Sequence, residues 1–358
     1  MESEQFHTLL SAAAKHGASD IHFRPGAPPM CRVNKQLLQL KTQVLGSADT
    51  EAIARLVGGR SLARETLEEL QEFDVSYSLA GVGRFRANIY RQRGSLAVVM
   101  RIIPSEVPAL ESLGLPAIVE RIVGIERGMV LVTGATGAGK STTLAAMIRR
   151  INETRTAHIL TIEDPIEFLH RGQKCSISQR EIGIDTRNFV MGLRAALRQD
   201  PDVILVGEMR DPESIDIALK AVETGHVVFS TVHTTDATKT IDRVVSAFPA
   251  EEQRNVRVRL AESLRATISQ RLLPRADGNG LVVAVEVMIC TGTVRELIAQ
   301  RMNGSLIELI EQGRVQYHMQ SFDQHLAELY NQGTITREVA LQAASNPSDF
   351  SRRLAFTT

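Results

Sequence analysis

Met129-Val-Leu-Val-Thr133-Gly134-Ala135-Thr136-Gly137-Ala138-Gly139-Lys140-Ser141-Thr142-Thr143 is the stretch that decides the fold. Met129–Thr133 is a short apolar run suited to a strand, and Ser141–Ile151 has the spacing of a helix. Between them, Gly134–Ser141 fits the pattern G-x-x-x-x-G-K-[ST] in the strand-to-helix context that the pattern needs. The chemistry explains the residue types. Glycines at 134, 137 and 139 let the backbone curl so that successive N–H groups point at phosphate oxygens. The helix start adds its positive end. Lys140 supplies a point charge for the β and γ phosphates, and the Ser141 hydroxyl is a ligand for Mg²⁺. The nucleotide-binding residues expected are therefore Gly134, Ala135, Thr136, Gly137, Ala138, Gly139, Lys140, Ser141 and Thr142, with Mg-ATP as the ligand. A glycine-rich turn of no function would not bring strand, lysine, hydroxyl and helix into one register.

Working outward, His158–Ile162, Val203–Val206, Val227–Val232 and Leu281–Val285 are further short apolar runs. Such runs suit a sheet buried on both faces, mostly parallel and covered by helices. Arg187–Leu197 and Ile215–Thr224 are the predicted covering helices, the second opened by Asp211-Pro212-Glu213. The last part of the chain reads as mainly helical, with a capping box at Ser321-Phe-Asp-Gln324.

In an open α/β sheet, ligands lie beyond the carboxyl ends of the strands. Two acids are expected there. Asp202-Val-Ile-Leu-Val206-Gly-Glu208 ends a strand in a carboxylate that can orient water or act through the Mg²⁺ shell; the bland alternative is an ion pair with Arg210. Ile159-Leu-Thr-Ile162-Glu163-Asp164-Pro165-Ile-Glu167 has the same layout. Glu163 is the preferred general base, Glu208 the competing one, and Asp164 and Glu167 read as loop salt-bridge formers. His226 and His233 flank Val227–Val232. Their positions at opposite ends of a strand make a poor metal site, whereas a sensor touching phosphate or the catalytic acid suits them better.

Upstream of residue 103 the chain reads as a small α+β unit. Gln5–Lys15, Ala48–Val57 and Leu62–Leu70 are predicted helices. Ser19–Arg24, a pair in Met30–Leu40 around Asn34-Lys35, Asp74–Ala80, Gly83–Tyr90 and Leu96–Ile102 are predicted strands. Pro104 and Pro108 mark a linker over 103–114, which leaves 115–358 for the ATPase domain. Arg84, Arg86 and Arg101 in the first unit are solvated strand residues or, in the sharper reading, arginine fingers for an ATP site.

Bulk composition narrows the class. Hydrophobic residues make up 43% and charged residues 23%, an ordinary globular balance with ample material for a large core. Lys plus Arg equals Asp plus Glu at 41 each, so net charge gives no sign of a nucleic-acid partner. Cys31, Cys175 and Cys290 are scattered, which excludes a cysteine-pair zinc module and suits reduced thiols. Neither a leader peptide nor an apolar run of about 20 residues is present, so a cytoplasmic protein, peripheral at most on a membrane, is expected.

Taken in order, these motifs resemble the secretion ATPase superfamily, and most closely its PilT/PilU-type twitching-motility (retraction) ATPases of type IV pili. The resemblance spans nearly the whole chain. It includes Gly17-Ala-Ser-Asp-Ile-His22, the Gly134–Ser141 loop, Thr161-Ile-Glu163-Asp-Pro-Ile-Glu167, Ala195 through Glu208-Met-Arg-Asp, Glu223-Thr-Gly-His226, Thr231-Val-His233-Thr-Thr and Thr240-Ile-Asp-Arg243. The tail from Met319 looks more PilU-like, while Gly207-Glu208-Met-Arg-Asp looks more PilT-like. The resemblance implies an α/β fold: a RecA-like P-loop ATPase domain with a smaller N-terminal α+β, PAS-like domain. It further implies a homohexamer with ATP held between domains, Glu163 in the catalytic position and Arg84, Arg86 and Arg101 as fingers. The implied partners are an inner-membrane pilus platform protein and paralogous pilus ATPases, and the implied work is pilus retraction. A pilus extension or type II secretion ATPase shares the core but usually carries a four-cysteine zinc insertion; a DNA-translocating motor would want a basic patch.

Overall fold

Among the described residues, thirteen strands divide into a six-stranded and a seven-stranded sheet, each in its own unit. The computed structural model describes residues 2–33, 36–62, 69–104 and 106–355. The units are Met1–Glu106 with Glu167–Leu169, and Val107–Ile166 with His170–Thr358.

The first unit opens with α1 (Ser3–Lys15), which buries Phe6, Leu9, Leu10 and Ala13 at helical spacing. Then come β1 (Asp20–Phe23), β2 (Met30–Val33), β3 (Gln36–Gln39), α2 (Ser47–Leu62, kinked at Gly59), β4 (Glu72–Leu79), β5 (Gly83–Gln92) and β6 (Ser95–Ile103). The strands pair antiparallel throughout, in the order β3-β2-β1-β6-β5-β4. Ile21, Phe23, Phe85, Ile89, Val98 and Met100 pack with α1 and α2 into one core. The predicted turn at Asn34-Lys35 and most of the predicted helix Leu62–Leu70 lie outside the described residues.

The second unit begins with a 3-10 turn at Leu110–Leu113, whose Leu110 is buried in this unit's core. It continues with α3 (Ile118–Val123), β7 (Gly128–Thr133), α4 (Lys140–Thr154), β8 (His158–Glu163), β9 (Ser176–Glu181), α5 (Phe189–Ala196), β10 (Val203–Val206), α6 (Pro212–Glu223), β11 (Val227–Val232), α7 (Ala237–Ser246) and α8 (Gln253–Ser263). β12 (Leu264–Pro274) and β13 (Leu281–Ile289) follow, then α9 (Gly292–Ala299), α10 (Leu306–Gln312), α11 (Arg314–Tyr317), α12 (Phe322–Asn331), α13 (Arg337–Ala343) and α14 (Pro347–Ala355). The sheet order is β13-β12-β7-β11-β10-β8-β9, parallel except for the β12–β13 pair.

Every residue of β7, β10 and β11 is buried, as expected for strands covered on both faces. Alternate residues divide between two cores. Met129, Leu131, Ile204, Val206 and Val228 pack with α5–α8. Val130, Val132, Val203, Leu205 and Phe229 pack with α3 and α4. One predicted feature needs correction. Leu281–Val285 is part of a longer antiparallel edge strand, not one of the parallel set. The sequence pattern predicts neither β9 nor β12. β9 is polar and lies at the sheet edge, and β12 carries Arg265 and Arg271 and starts straight from Ser263 of α8 with no turn residue between. Among the described residues no helix is long and apolar enough to cross a membrane.

Candidate active site

The glycine loop leaves the carboxyl end of β7 and closes at Gly139, which caps α4 in the left-handed region (φ 88°). That conformation is open to glycine at little cost. Gly134 has φ 147°, and a Cβ there would lie 2.6 Å from the Gln270 carbonyl oxygen and 2.8 Å from Ala138 Cβ. No side chain fits at 134, so the loop backbone passes tight against β12. Lys140, the first residue of α4, is buried. Its Nζ donates to the carbonyls of Gly134 and Ala135, both at 2.9 Å, so the ammonium is held over the loop. β12 buttresses the arrangement: Thr133 Oγ1 donates to Ser269 Oγ at 3.0 Å, and Gln270 Nε2 donates to Thr143 Oγ1 at 2.8 Å.

Parallel pairing decides what shares this edge of the sheet. Val232 of β11 is opposite Thr133, Ser230 is opposite Val206 of β10, and Val206 is opposite Ile162 of β8. The chain therefore emerges as His233, Gly207-Glu208 and Glu163 on the same side as Gly134. Glu208 pairs with Arg210 at 2.7 Å and lies 3.4 Å from His233 Nε2. Burial works against its charge, but Arg210, His233 and Lys140 together hold its carboxyl below the ordinary value. The ion pair with Arg210 and a place facing the loop thus coexist. Arg210 also feels the charge of Asp164. Glu163 Oε1 accepts from Thr161 Oγ1 at 2.6 Å and from Gln179 Nε2 at 3.3 Å, which fixes the carboxylate at the strand end.

His226 does not reach this edge. It precedes β11 beside Gly128, at the start of the P-loop strand, and its ring meets the Ala221 carbonyl at 2.8 Å and Thr224 Oγ1 at 3.1 Å. The six-residue strand β11 separates it from His233, roughly 20 Å of extended chain. A sensor role expected from the motif is incompatible with that position, because parallel strands start together and end together. Arg84, Arg86 and Arg101 belong to the first unit. Arg101 Nε donates to Asp20 Oδ1 at 2.9 Å, and Arg86 is the cross-strand partner of Arg101 and is exposed.

Hard oxygen donors are what Mg²⁺ takes, and the Ser141 hydroxyl and the ionised Glu208 are of that kind. Among the described residues no cluster of three or more His, Cys, Asp or Glu side chains could hold a metal by itself. Sequence reasoning missed Gln179, Ser269 and Gln270, and the buried Glu286 discussed below. All but Gln179 lie on β12 and β13, and without β12 in the reading no signal tied them to the loop.

A phosphate loop closing one strand of a mostly parallel sheet, with acids at the same ends of two other strands of that sheet, defines a P-loop ATPase. The chain belongs to the type II/IV secretion system protein family, whose profile matches residues 3–346. It is 47% identical over 342 residues to the type IV pilus retraction ATPase PilT of Pseudomonas aeruginosa, covering 96% of this chain and 98% of that protein. It is 38% identical over 345 residues to the type IV pilus ATPase PilU of the same organism, covering 96% and 90%. Among solved structures, the pilus retraction motor PilT with bound ADP superposes with a TM-score of 0.89 at 44% identity, covering 97% of this chain and 98% of that one. The α/β fold with its N-terminal unit is thus that of a PilT-type secretion ATPase, a nucleotide-binding fold.

Proposed function

We propose that this chain is a Mg-ATP-hydrolysing motor of type IV pilus retraction. The observation that carries the proposal is the shared edge: the Lys140-bearing loop, Glu163 and the Glu208–His233 pair at neighbouring strand ends. The 47% identity to PilT, against 38% to PilU, supports the PilT type over the PilU type.

In this reading Lys140 exchanges the carbonyls of Gly134 and Ala135 for the β and γ phosphate oxygens, and the loop amides hold the same phosphates. Ser141 and Glu208 would hold Mg²⁺, which neutralises phosphate charge when bound. Glu163, oriented by Thr161 and Gln179, takes the proton of the attacking water. His233 touches Glu208 and so reports the state of the site. Arg84, Arg86 and Arg101 act as fingers on the site of a neighbouring chain, their planar charge suiting the developing γ-phosphate charge. Residues 1–102 belong to the PAS-like domain and 115–358 to the ATPase domain; the linker expected over 103–114 is shorter, because β6 runs to Ile103 and the second unit begins at Val107 with Leu110 in its core. The working assembly is a homohexamer on the cytoplasmic face of the inner membrane, in contact with the pilus platform protein and paralogous ATPases.

Deletion of the gene in its source organism tests the proposal. Loss of twitching with an excess of surface pili is expected. Loss of pili altogether would instead assign the chain to pilus extension, and an unaltered pilus phenotype would overturn the assignment.

A further inference from the structure

Glu286, in the middle of β13, is 3% exposed, and no step outlined above uses it. Its Oε1 accepts the N–H of Ala237, the first residue of α7, at 2.9 Å. A helix start presents unsatisfied N–H groups and a positive dipole end, which favour an anion. Asp236 caps the same end by accepting from Lys239 N at 2.8 Å.

The loop in front of this helix end carries His233. The hydroxyls of Thr234 and Thr240 lie 2.6 Å apart, Thr240 Oγ1 donates to the Asp236 carbonyl at 2.7 Å, and Lys239 Nζ donates to Thr235 Oγ1 at 3.0 Å. These ties make residues 234–240 one piece, so what holds Ala237 also places His233, 3.4 Å from Glu208. On its other side Glu286 is opposite Ser269 in the ladder, and Ser269 is opposite Thr133, the residue before the phosphate loop. One carboxylate thus links the P-loop strand to the histidine loop through buried groups.

We propose that Glu286 is a positioning residue of the hydrolytic site: its negative charge holds the start of α7, and with it His233, in register with the P-loop strand, so turnover rises as Glu286 ionises. The inference rests on the hydrolytic reading above.

The charged groups that face Glu286 are Asp236 from α7, Arg271 from β12 and Asp323 from α12. The guanidinium of Arg271 lies 3.8 Å from the centre of the Phe322 ring and also donates to the Ala343 carbonyl. Burial dominates and pushes the Glu286 carboxyl up to about 7, against the pull of the Ala237 N–H and Arg271. A raised folded-state pKa means that stability is fullest below the ordinary value of 4.5 and falls as pH rises through 7. Ionisation therefore tightens the bond to Ala237 N–H at a cost in stability.

The test is steady-state Mg-ATP hydrolysis by the full chain between about pH 5.5 and about pH 9, with fluorescent-ADP affinity measured alongside. In the wild type, kcat should rise about fivefold through a midpoint near neutrality, the rate equivalent of a charge on a helix end. Glu286→Gln copies the protonated side chain, so its kcat should stay flat at the low plateau while KM and ADP affinity hold. A rising limb that survives in Glu286→Gln, or a loss of ADP affinity in step with kcat, overturns the proposal. Ala237→Pro gives a second reading: the first helical position accepts proline, and Asp236 before it is extended (φ −157°, ψ 169°). Removing that N–H cuts the tie through which the charge acts, so the limb should flatten, and a limb of undiminished height overturns the proposal. A wild type without Mg-dependent turnover would overturn the hydrolytic reading as well.

Discussion

At Gly134 the requirement is steric before it is chemical. A Cβ would meet the Gln270 carbonyl at 2.6 Å, and that oxygen belongs to a buried strand that cannot yield. Gly134→Ala should cost about 1–3 kcal/mol in strain and weaken ADP binding, read by thermal melting and a fluorescent-ADP titration; wild-type affinity would show that the loop does not need this contact. Lys140→Ala removes the charge held over the loop, so Mg-ATP turnover should fall by about 10²-fold or more while the circular-dichroism spectrum stays native. Arg210, His233 and Lys140 favour the charge of Glu208, and Glu163 accepts from Thr161 and Gln179 at its strand end. Glu163→Gln should keep nucleotide affinity and stall hydrolysis in single-turnover assays. Unchanged turnover would move the base role to Glu208.

At the scale of elements, β12 and β13 hold the site from behind, and α12 is tied to them. His325 Nδ1 on α12 accepts from Val285 N at 2.9 Å. Burial pushes its pKa down to about 4, so folding favours the neutral ring. The resulting stability is complete above the ordinary value of 6.5 and is lost as pH falls from 6.5 towards 4. The total is on the order of 3 kcal/mol. His325→Gln keeps an acceptor for Val285 N and cannot titrate, so the drop in urea midpoint between pH 7 and pH 5 should shrink. A smaller slope should remain, because burial also pushes His170 down to about 4. An undiminished slope in His325→Gln would show that His325 is protonated in the folded state.

For the molecule as a whole, the arginines sit in one unit and the phosphate loop in the other. If fingers act on a neighbouring chain, sites in a mixed assembly are composite. Arg86→Ala and Lys140→Ala, each weak alone, should then regain part of the wild-type Mg-ATPase rate when co-assembled. Equal mixing gives about a quarter of sites with both groups intact, the product of two one-half chances in a shared-site ring. A mixture no faster than the mean of its parts would place both groups on one chain's site.

The strands β7, β10 and β11 and the phosphate loop were legible in the sequence because their signals are local. An apolar run reports burial on both faces, and glycines with lysine and hydroxyl at fixed spacing report a phosphate cradle. Glu163 and Glu208 were legible for the same reason, as acids directly following such runs. Local order could not reveal that β12, rich in polar and charged residues, lies beside β7. That fact depends on parallel register, which here pairs residues more than a hundred positions apart. Only the tertiary structure brought Ser269, Gln270 and Glu286 behind the loop, because a buried polar side chain is explained by its partners, and those partners lie on other strands and helices.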